Sequence, residues 1–329
     1  MFKLGIIGTG AISHDFIHAA SLSQEYQLAA VYSRRLETAE QFVKNYENIA
    51  LFDDLTSFLQ SDLDVVYIAS PNSLHYLQAK LVLEAGKNAI IEKPAVIHPA
   101  QWQKLGELAQ KQQVYVFEAA RNYHEYSFEK IATFLKDKTI LGAQFTFAKY
   151  SSKMPDLLAG KIPNVFSHHF AGGALMDLGI YPIYAAVRLF GKPNTAFYKS
   201  QQLDNTIDLN GTGQLIYPSF QVTISTGKNL TSNLVAEIYT EDGTLTLNGI
   251  EFIKSAVFQN HKGETVKLPL KRAPHQMLEE AVAFATIMKG ENDHYPTLLT
   301  DTLSVHETIF TMRLDAGIHF EEEYHASLT

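Results

Sequence analysis

The chain contains no cysteine. Disulfides, thiolate nucleophiles and cysteine-held zinc are therefore excluded, and the composition agrees with a reducing cytosol without requiring one. It also lacks any apolar run approaching the roughly 18 residues that a membrane helix needs. The apolar stretch after Met1 is shorter than the core of a signal peptide and runs straight into a glycine-rich turn, so a cytoplasmic protein is expected. Basic charge is in deficit: 27 Lys and Arg stand against 35 Asp and Glu, a formal net charge of −8. A nucleic-acid backbone would demand a basic face, so that class of partner is not expected. Internal repeats, low-complexity tracts and long linkers are lacking as well.

What the chain does have is apolar material in regular spacing. With 329 residues, 46% of them apolar and 19% charged, it can build two packed cores. The first third alternates strand and helix patterns. Phe2–Ile7 is a short apolar run of the kind a doubly buried strand shows, followed by a helical pattern over 11–22. Strands at 27–32, 65–69, 88–91 and 115–117 and helices at 36–46, 73–85 and 101–111 continue the rhythm. Repeated βα units with short connections predict a doubly wound parallel sheet in an α/β fold. After Arg121 the pattern changes to a helix at 126–136, a strand at 143–149 and a loop with Pro155, Gly160 and Pro163. The stretch 195–268 is rich in alternating segments, such as 221–225 and 234–239. Glu241-Asp242-Gly243 reads as a hairpin turn. This half is expected to form a mostly antiparallel sheet, closed by helices at 275–289 and 300–314. The predicted division is residues 1–120 for a dinucleotide and 121–329 for substrate and self-association, with the last helices free to pack back on the first domain.

Gly8-Thr9-Gly10-Ala11-Ile12-Ser13 sits between the first strand and the first helix. The first glycine permits a tight turn, the second lets backbone approach a pyrophosphate, and the helix N-terminus offers unpaired N–H groups. In a Rossmann fingerprint the third position is glycine; here it is Ser13, still small. An ordinary glycine-rich turn is the plainer explanation, but the strand before it and the βαβ series after it favour a cofactor site at Gly8, Gly10, Ala11 and Ile12. At the end of the second strand an acid would select NAD. The chain has Ser33-Arg34-Arg35 instead, which suits the 2′-phosphate of NADP. NADP is expected over NAD; the alternative is two solvated arginines heading a surface helix.

Ile91-Glu92-Lys93-Pro94 completes a set with the glycine turn, Ser70-Pro71-Asn72-Ser73-Leu74-His75 and Gly172-Gly173-Ala174-Leu175-Met176-Asp177-Leu178-Gly179-Ile180-Tyr181. Taken in order over almost the whole chain, these motifs closely resemble the Gfo/Idh/MocA oxidoreductases. The resemblance implies a Rossmann domain followed by an α/β domain with a large open sheet, and pyridine-nucleotide chemistry on sugars, polyols or similar hydroxyl–carbonyl compounds. It implies that Lys93 sits by the nicotinamide and the substrate oxygen. It also implies that Glu92 contacts the cofactor and that the loop of Ser70, Pro71, Asn72 and His75 lines its path. Inositol-dehydrogenase-like members carry histidine four residues after the aspartate. Tyr181 stands there instead, as in the glucose–fructose oxidoreductase and dihydrodiol dehydrogenase branch.

Hydride transfer to a carbonyl leaves charge on oxygen, which needs a stabilising cation and a proton. Lys93 supplies an ammonium and Tyr181 a phenol, which a neighbouring ammonium would make easier to ionise. Asp177 and Tyr181 are four apart, so a continuous helix would put both on one face, although Pro182 puts that continuity in question. Asp177 is expected to bind a substrate hydroxyl or orient Lys93, with a helix cap or salt bridge as the structural alternative. For Tyr181 the structural alternative is a core aromatic. Arg121 either reaches cofactor or substrate or pairs with a surface acid. His169 is a candidate substrate contact. Adjacent His168 and His169 point apart in a strand, so no metal site is expected.

The reading is therefore an NAD(P)-dependent dehydrogenase or reductase acting on CH–OH groups. Its alternatives are a non-catalytic dinucleotide sensor, and an enzyme with tightly held cofactor and two alternating substrates. Leu215, Ile216, Tyr217, Val222, Ile224, Val235 and Ile238 suggest an apolar sheet face that a partner copy must cover, hence a homodimer or larger.

Overall fold

Four consecutive residues, Val65, Val66, Tyr67 and Ile68, have no exposed surface. A strand covered on both faces is what a parallel sheet clad in helices requires. The computed structural model describes residues 1–320 and divides them into two compact units. The first is Met1–Ala119 with Pro274–Leu299; the second runs from Ala120 to Ala273 and resumes at Thr300.

The first unit carries β1 (Phe2–Ile7), α1 (Ala11–Ser23), β2 (Tyr26–Tyr32), α2 (Leu36–Phe42), β3 (Ala50–Phe52), α3 (Leu55–Gln60), β4 (Val65–Ile68), α4 (Asn72–Glu84), β5 (Asn88–Glu92), α5 (Pro99–Gln112) and β6 (Val116–Ala119). Its six strands are all parallel in the order β3-β2-β1-β4-β5-β6. The order reverses between β1 and β4, where such sheets open a crevice at their carboxyl edge. Leu4, Ile6, Val31, Val65 and Ile90 are fully buried, each worth about 1.5–3 kcal/mol against exposure. β3 and α3 were not foreseen from the periodicity. A three-residue strand shows too few alternations, and α3 is set by Asp54, whose carboxylate caps Ser57 N at 2.7 Å.

The second unit carries α6 (Ser127–Leu135), β7 (Ile140–Ala148), α7 (Met154–Leu158), α8 (Ile180–Phe190), β8 (Thr195–Gln202), β9 (Asp208–Ile216), β10 (Gln221–Gly227), β11 (Ala236–Thr240), β12 (Gly243–Leu247), β13 (Ala256–Asn260) and β14 (Thr265–Lys267). They form one open sheet, β14-β13-β12-β11-β7-β10-β9-β8, in which only β7 and β10 run parallel. Of the closing helices, α9 (Leu278–Met288) belongs to the first unit, where Tyr26 Oη donates to Ala281 O at 2.8 Å. The unit boundary falls within α10 (Tyr295–Asp315), after Leu299.

Side chains alternate along the middle strands of this sheet, and the alternation overturns the reason given for an apolar outer face. Leu215, Val222, Ile224 and Ile238 are all 0% exposed and pack inside the unit, with Tyr217 also buried. The opposite face carries Gln144, Thr223, Glu237 and Thr246 in register across four strands. Val235 is exposed, but it precedes β11. The apolar residues Leu215, Val222, Ile224 and Ile238 are thus satisfied within the unit, while Phe197, in register with Gln214 and Thr223, is an exposed apolar side chain on the otherwise polar face. Among the described residues no helix is long and apolar enough to cross a membrane.

Candidate active site

β1 ends at Ile7, and Gly8 turns the chain with φ +104°. A Cβ there would stand 2.4 Å from the Ala69 carbonyl oxygen at the end of β4, so only glycine fits. Gly10 heads α1 without any side-chain cap, and a Cβ on it would meet nothing within 4 Å. The first turn of α1, with Ala11 exposed and Ile12 half-buried, thus opens onto free space, the setting in which helix N–H groups take a phosphate. Ser13 is wholly buried beneath this turn, and its Oγ donates to Gly8 O at 2.7 Å. The serine that departs from the fingerprint therefore braces the turn. The residues fit a pyrophosphate group.

Ser33 closes β2 against β3, its N–H donating to Phe52 O at 3.0 Å. Arg34 and Arg35 are exposed beyond it, and Arg35 is the extended residue that precedes α2. Across the reversal point, Ser70 Oγ donates to Gln78 Oε1 at 2.6 Å, Pro71 precedes α4 and Asn72 begins it. Lys93 is half-buried just past β5, before a cis bond to Pro94. The glycine turn, Ser70 and Lys93 thus follow β1, β4 and β5, three neighbouring parallel strands, at one sheet edge.

Two residues expected along the cofactor path face inward. Glu92 is buried and accepts a hydrogen bond from Tyr67 Oη on β4. His75 is 1% exposed, with Nδ1 2.9 Å from Pro94 O and Nε2 2.8 Å from Ser70 O. It presents almost no surface to a ligand and instead ties the Ser70 loop to the turn that follows Lys93. Glu118 fastens the same turn, accepting from Ala95 N at 2.8 Å. Burial holds His75 below the usual histidine range, against the opposing pull of the two carbonyls and Glu118. A neutral ring has one N–H to share between two acceptors.

In the second unit the glycine-rich segment is not one continuous α-helix. A π-turn over Leu175–Gly179 runs directly into α8, and Pro182, which has no N–H to close the usual helical bond, stands just after it. Asp177 is one-third exposed on the π-turn, and Tyr181 is 8% exposed on α8. Arg121 Nη1 donates to Glu251 O at 2.5 Å, and the guanidinium lies 5.1 Å from the Tyr181 ring centre. Among the described residues Arg121 is thus held by a backbone carbonyl and braces Tyr181. Asn122 Nδ2 donates to Tyr181 O at 3.0 Å, and Phe147 meets the ring edge-on at 5.1 Å. His168 Nε2 bonds to His319 O, whereas His169 is exposed against Phe170, so the adjacent histidines diverge.

Sequence reasoning missed two residues. Lys228 follows β10 and donates to Asp177 Oδ2; no motif in the sequence marked it. Asp208, at the start of β9, accepts from Leu175 N and from Tyr198 Oη, both at 2.7 Å. Burial holds its carboxyl above the ordinary range, and burial likewise raises the Tyr198 phenol. Nothing in the sequence around Asp208 marked it as a lock on a segment over thirty residues away.

Residues 2–120 match the model of an oxidoreductase family with an NAD-binding Rossmann fold, and residues 140–246 match the GFO/IDH/MocA C-terminal domain. An uncharacterized oxidoreductase of Escherichia coli is 32% identical over 97% of this chain and 98% of its own length. A scyllo-inositol 2-dehydrogenase (NADP(+)) of Bacillus subtilis is 32% identical over 88% of this chain and 89% of the relative. A 3-ketoreductase of Actinomadura kijaniata, crystallised with NADP and TDP-benzene, superposes with a TM-score of 0.80 at 21% identity, covering 96% of this chain and 98% of that one. That last likeness speaks to the fold. The chain belongs to the Gfo/Idh/MocA family of NAD(P)-binding oxidoreductases.

Proposed function

We propose that the protein is an NADP(H)-dependent oxidoreductase that interconverts a secondary alcohol and its ketone on a sugar, polyol or dihydrodiol-type substrate, with Lys93, Tyr181 and Asp177 as its catalytic residues. The observation that carries this reading is the shared carboxyl edge of β1, β4 and β5. A glycine turn that leads into an uncapped helix N-terminus and a half-buried lysine lie there after neighbouring strands. The similarity to a scyllo-inositol 2-dehydrogenase supports a polyol-type hydroxyl or ketone as the reacting group.

A bound nicotinamide supplies or accepts the hydride. Lys93 stabilises the charge that develops on the substrate oxygen. Tyr181, held by Arg121, gives that oxygen its proton in reduction and takes it back in oxidation. Asp177 accepts a hydrogen bond from a neighbouring substrate hydroxyl, and His169 is a further candidate contact. Arg34 and Arg35 are exposed where they can clasp a 2′-phosphate, which favours NADP over NAD. The cysteine-free composition supports a cytoplasmic setting. Self-association through the second sheet would use its Thr-, Gln- and Ser-rich face, on which Phe197 is exposed.

The test is absorbance at the nicotinamide band with NADPH or NADP+ over a panel of inositols, sugars, sugar ketones and dihydrodiols. Lys93→Met is expected to abolish turnover while NADPH fluorescence titration shows little loss of affinity. Full activity in that variant would remove Lys93 from the chemistry.

A further inference from the structure

Asp177 and Lys228 form an ion pair of unequal burial: the Asp177 side chain is 32% exposed and the Lys228 side chain 4%. Lys228 is fixed at both ends. Its backbone N–H donates to Leu209 O at 2.7 Å and its carbonyl accepts from Ser151 N at 2.8 Å. Its Nζ donates to Asp177 Oδ2 and lies 5.7 Å from the centre of the Phe166 ring. An ammonium so deeply buried demands an anionic partner.

The turn that bears Asp177 is itself pinned. Asp177 N donates to Gly173 O at 3.2 Å, and Leu175 N is held by Asp208 at 2.7 Å. Thr226 Oγ1, two residues before Lys228, donates to Ala174 O at 3.2 Å. A fixed cation thus meets a fixed turn, and the carboxylate between them reaches the surface on its other side.

We propose that Lys228 is a positioning residue that holds Asp177 as an oriented carboxylate, so that Asp177 recognises a substrate hydroxyl as an acceptor and does not itself deliver a proton. The kinetic part of this inference rests on the reading that Asp177 meets substrate; the hold of Lys228 on Asp177 does not. Asp208 on β9, bonded to Leu175 N, and Tyr181, which follows the turn on α8 with Arg121 against its ring, stay unaltered in the variants below.

Two measurements separate the parts. The first is a carboxyl-carbon NMR titration, with the Asp177 signal assigned by its loss in Asp177→Asn. Lys228→Met is expected to raise the titration midpoint of Asp177 by about one pH unit or more, because the stabilising cation is gone. An unmoved midpoint overturns the proposal.

The second is steady-state kinetics on whichever panel compound the enzyme turns over. Asp177→Asn and Lys228→Met are each expected to raise KM on the order of tenfold with NADPH affinity unchanged. The double variant is expected to be no worse than either single, and Lys228→Arg to recover most of the loss. A raised KM in Asp177→Asn with a normal KM in Lys228→Met, or losses that multiply, sinks the positioning role. A normal KM in Asp177→Asn, or no turnover of any compound, defeats the functional reading instead, and the titration still decides the hold. If Lys228→Met does not fold, Lys228→Gln takes its place in both measurements.

Discussion

The guanidinium of Arg121 lies 5.1 Å from the centre of the Tyr181 ring and is anchored by the carbonyl of Glu251. A cation over a phenol face contributes about 0.5–2 kcal/mol, depending on how dry the contact is. Here it does so for the residue proposed to exchange the substrate proton. Arg121→Met is expected to lower kcat/KM by roughly tenfold, since small misplacements of a reacting group cost rate steeply. Cofactor affinity should change less than twofold. If instead NADPH binding collapses and kcat survives, Arg121 belongs to the cofactor site and the bracing role is wrong.

Gly173 carries the tightest constraint in the glycine pair. Its φ is +120°, and a Cβ there would come within 2.2 Å of Asp208 Oδ1. Asp208 cannot simply retreat, because it is wholly buried and holds both Leu175 N and Tyr198 Oη. Gly173→Ala is therefore expected to destabilise the protein by about 2–4 kcal/mol through strain and a broken buried network. Calorimetry reads this as a clear drop in Tm. A variant with unchanged Tm and full activity would show that the segment can shift freely.

Arg34 and Arg35 follow a strand that ends without an acid, and both are exposed. Charge-assisted bonds of this kind are worth about 1.5–3 kcal/mol each at best, less when solvated. The double change Arg34→Ala/Arg35→Ala should weaken NADPH binding by roughly ten- to a hundredfold and leave NADH binding nearly unchanged. Parallel fluorescence titrations decide the matter, and equal losses for the two cofactors would refute the 2′-phosphate assignment.

Much of this architecture was legible because the signals were local. The apolar run Phe2–Ile7, the turn Gly8–Gly10 and the helix from Ala11 are adjacent in sequence and determine one another. The hydroxyl–carbonyl bond from Ser13 to Gly8 shows why serine serves at a fingerprint glycine. Non-local contacts were hidden. Glu92 and His75 sit in motifs that suggested ligand contact, yet Tyr67 on β4 draws the first inward and Pro94, beyond β5, the second. The outer face of the second sheet was misjudged because alternation reveals two faces but not which one the unit's own helices cover. The helix α10 begins at Tyr295, earlier than the expected 300, because Pro296 reads as a breaker although it is tolerated in a first turn.

Two histidines should make stability depend on pH. His75 is buried in the first unit and held below the usual histidine range chiefly by desolvation. His124 in the second keeps a partly exposed face, but its Nε2 is buried; burial first and Arg188 second push it down to about 3. In both cases the folded state prefers the neutral ring, while the unfolded chain takes up a proton near pH 6.5. Their contribution is thus fully present above about pH 6.5 and is lost as pH falls toward the depressed folded values. Each can cost up to about 1.4 kcal/mol per pH unit in that window, less for the partly exposed His124. Asp208 acts in the opposite sense, because its raised carboxyl favours the folded state as pH falls. The comparison must therefore be made between variants rather than read from one curve. Urea unfolding at pH 7.5 and pH 5.0 should show a smaller acid-side loss in His124→Asn than in the parent, and smaller still in His75→Gln/His124→Asn. Identical losses in all three proteins would mean that neither ring is kept neutral by the fold.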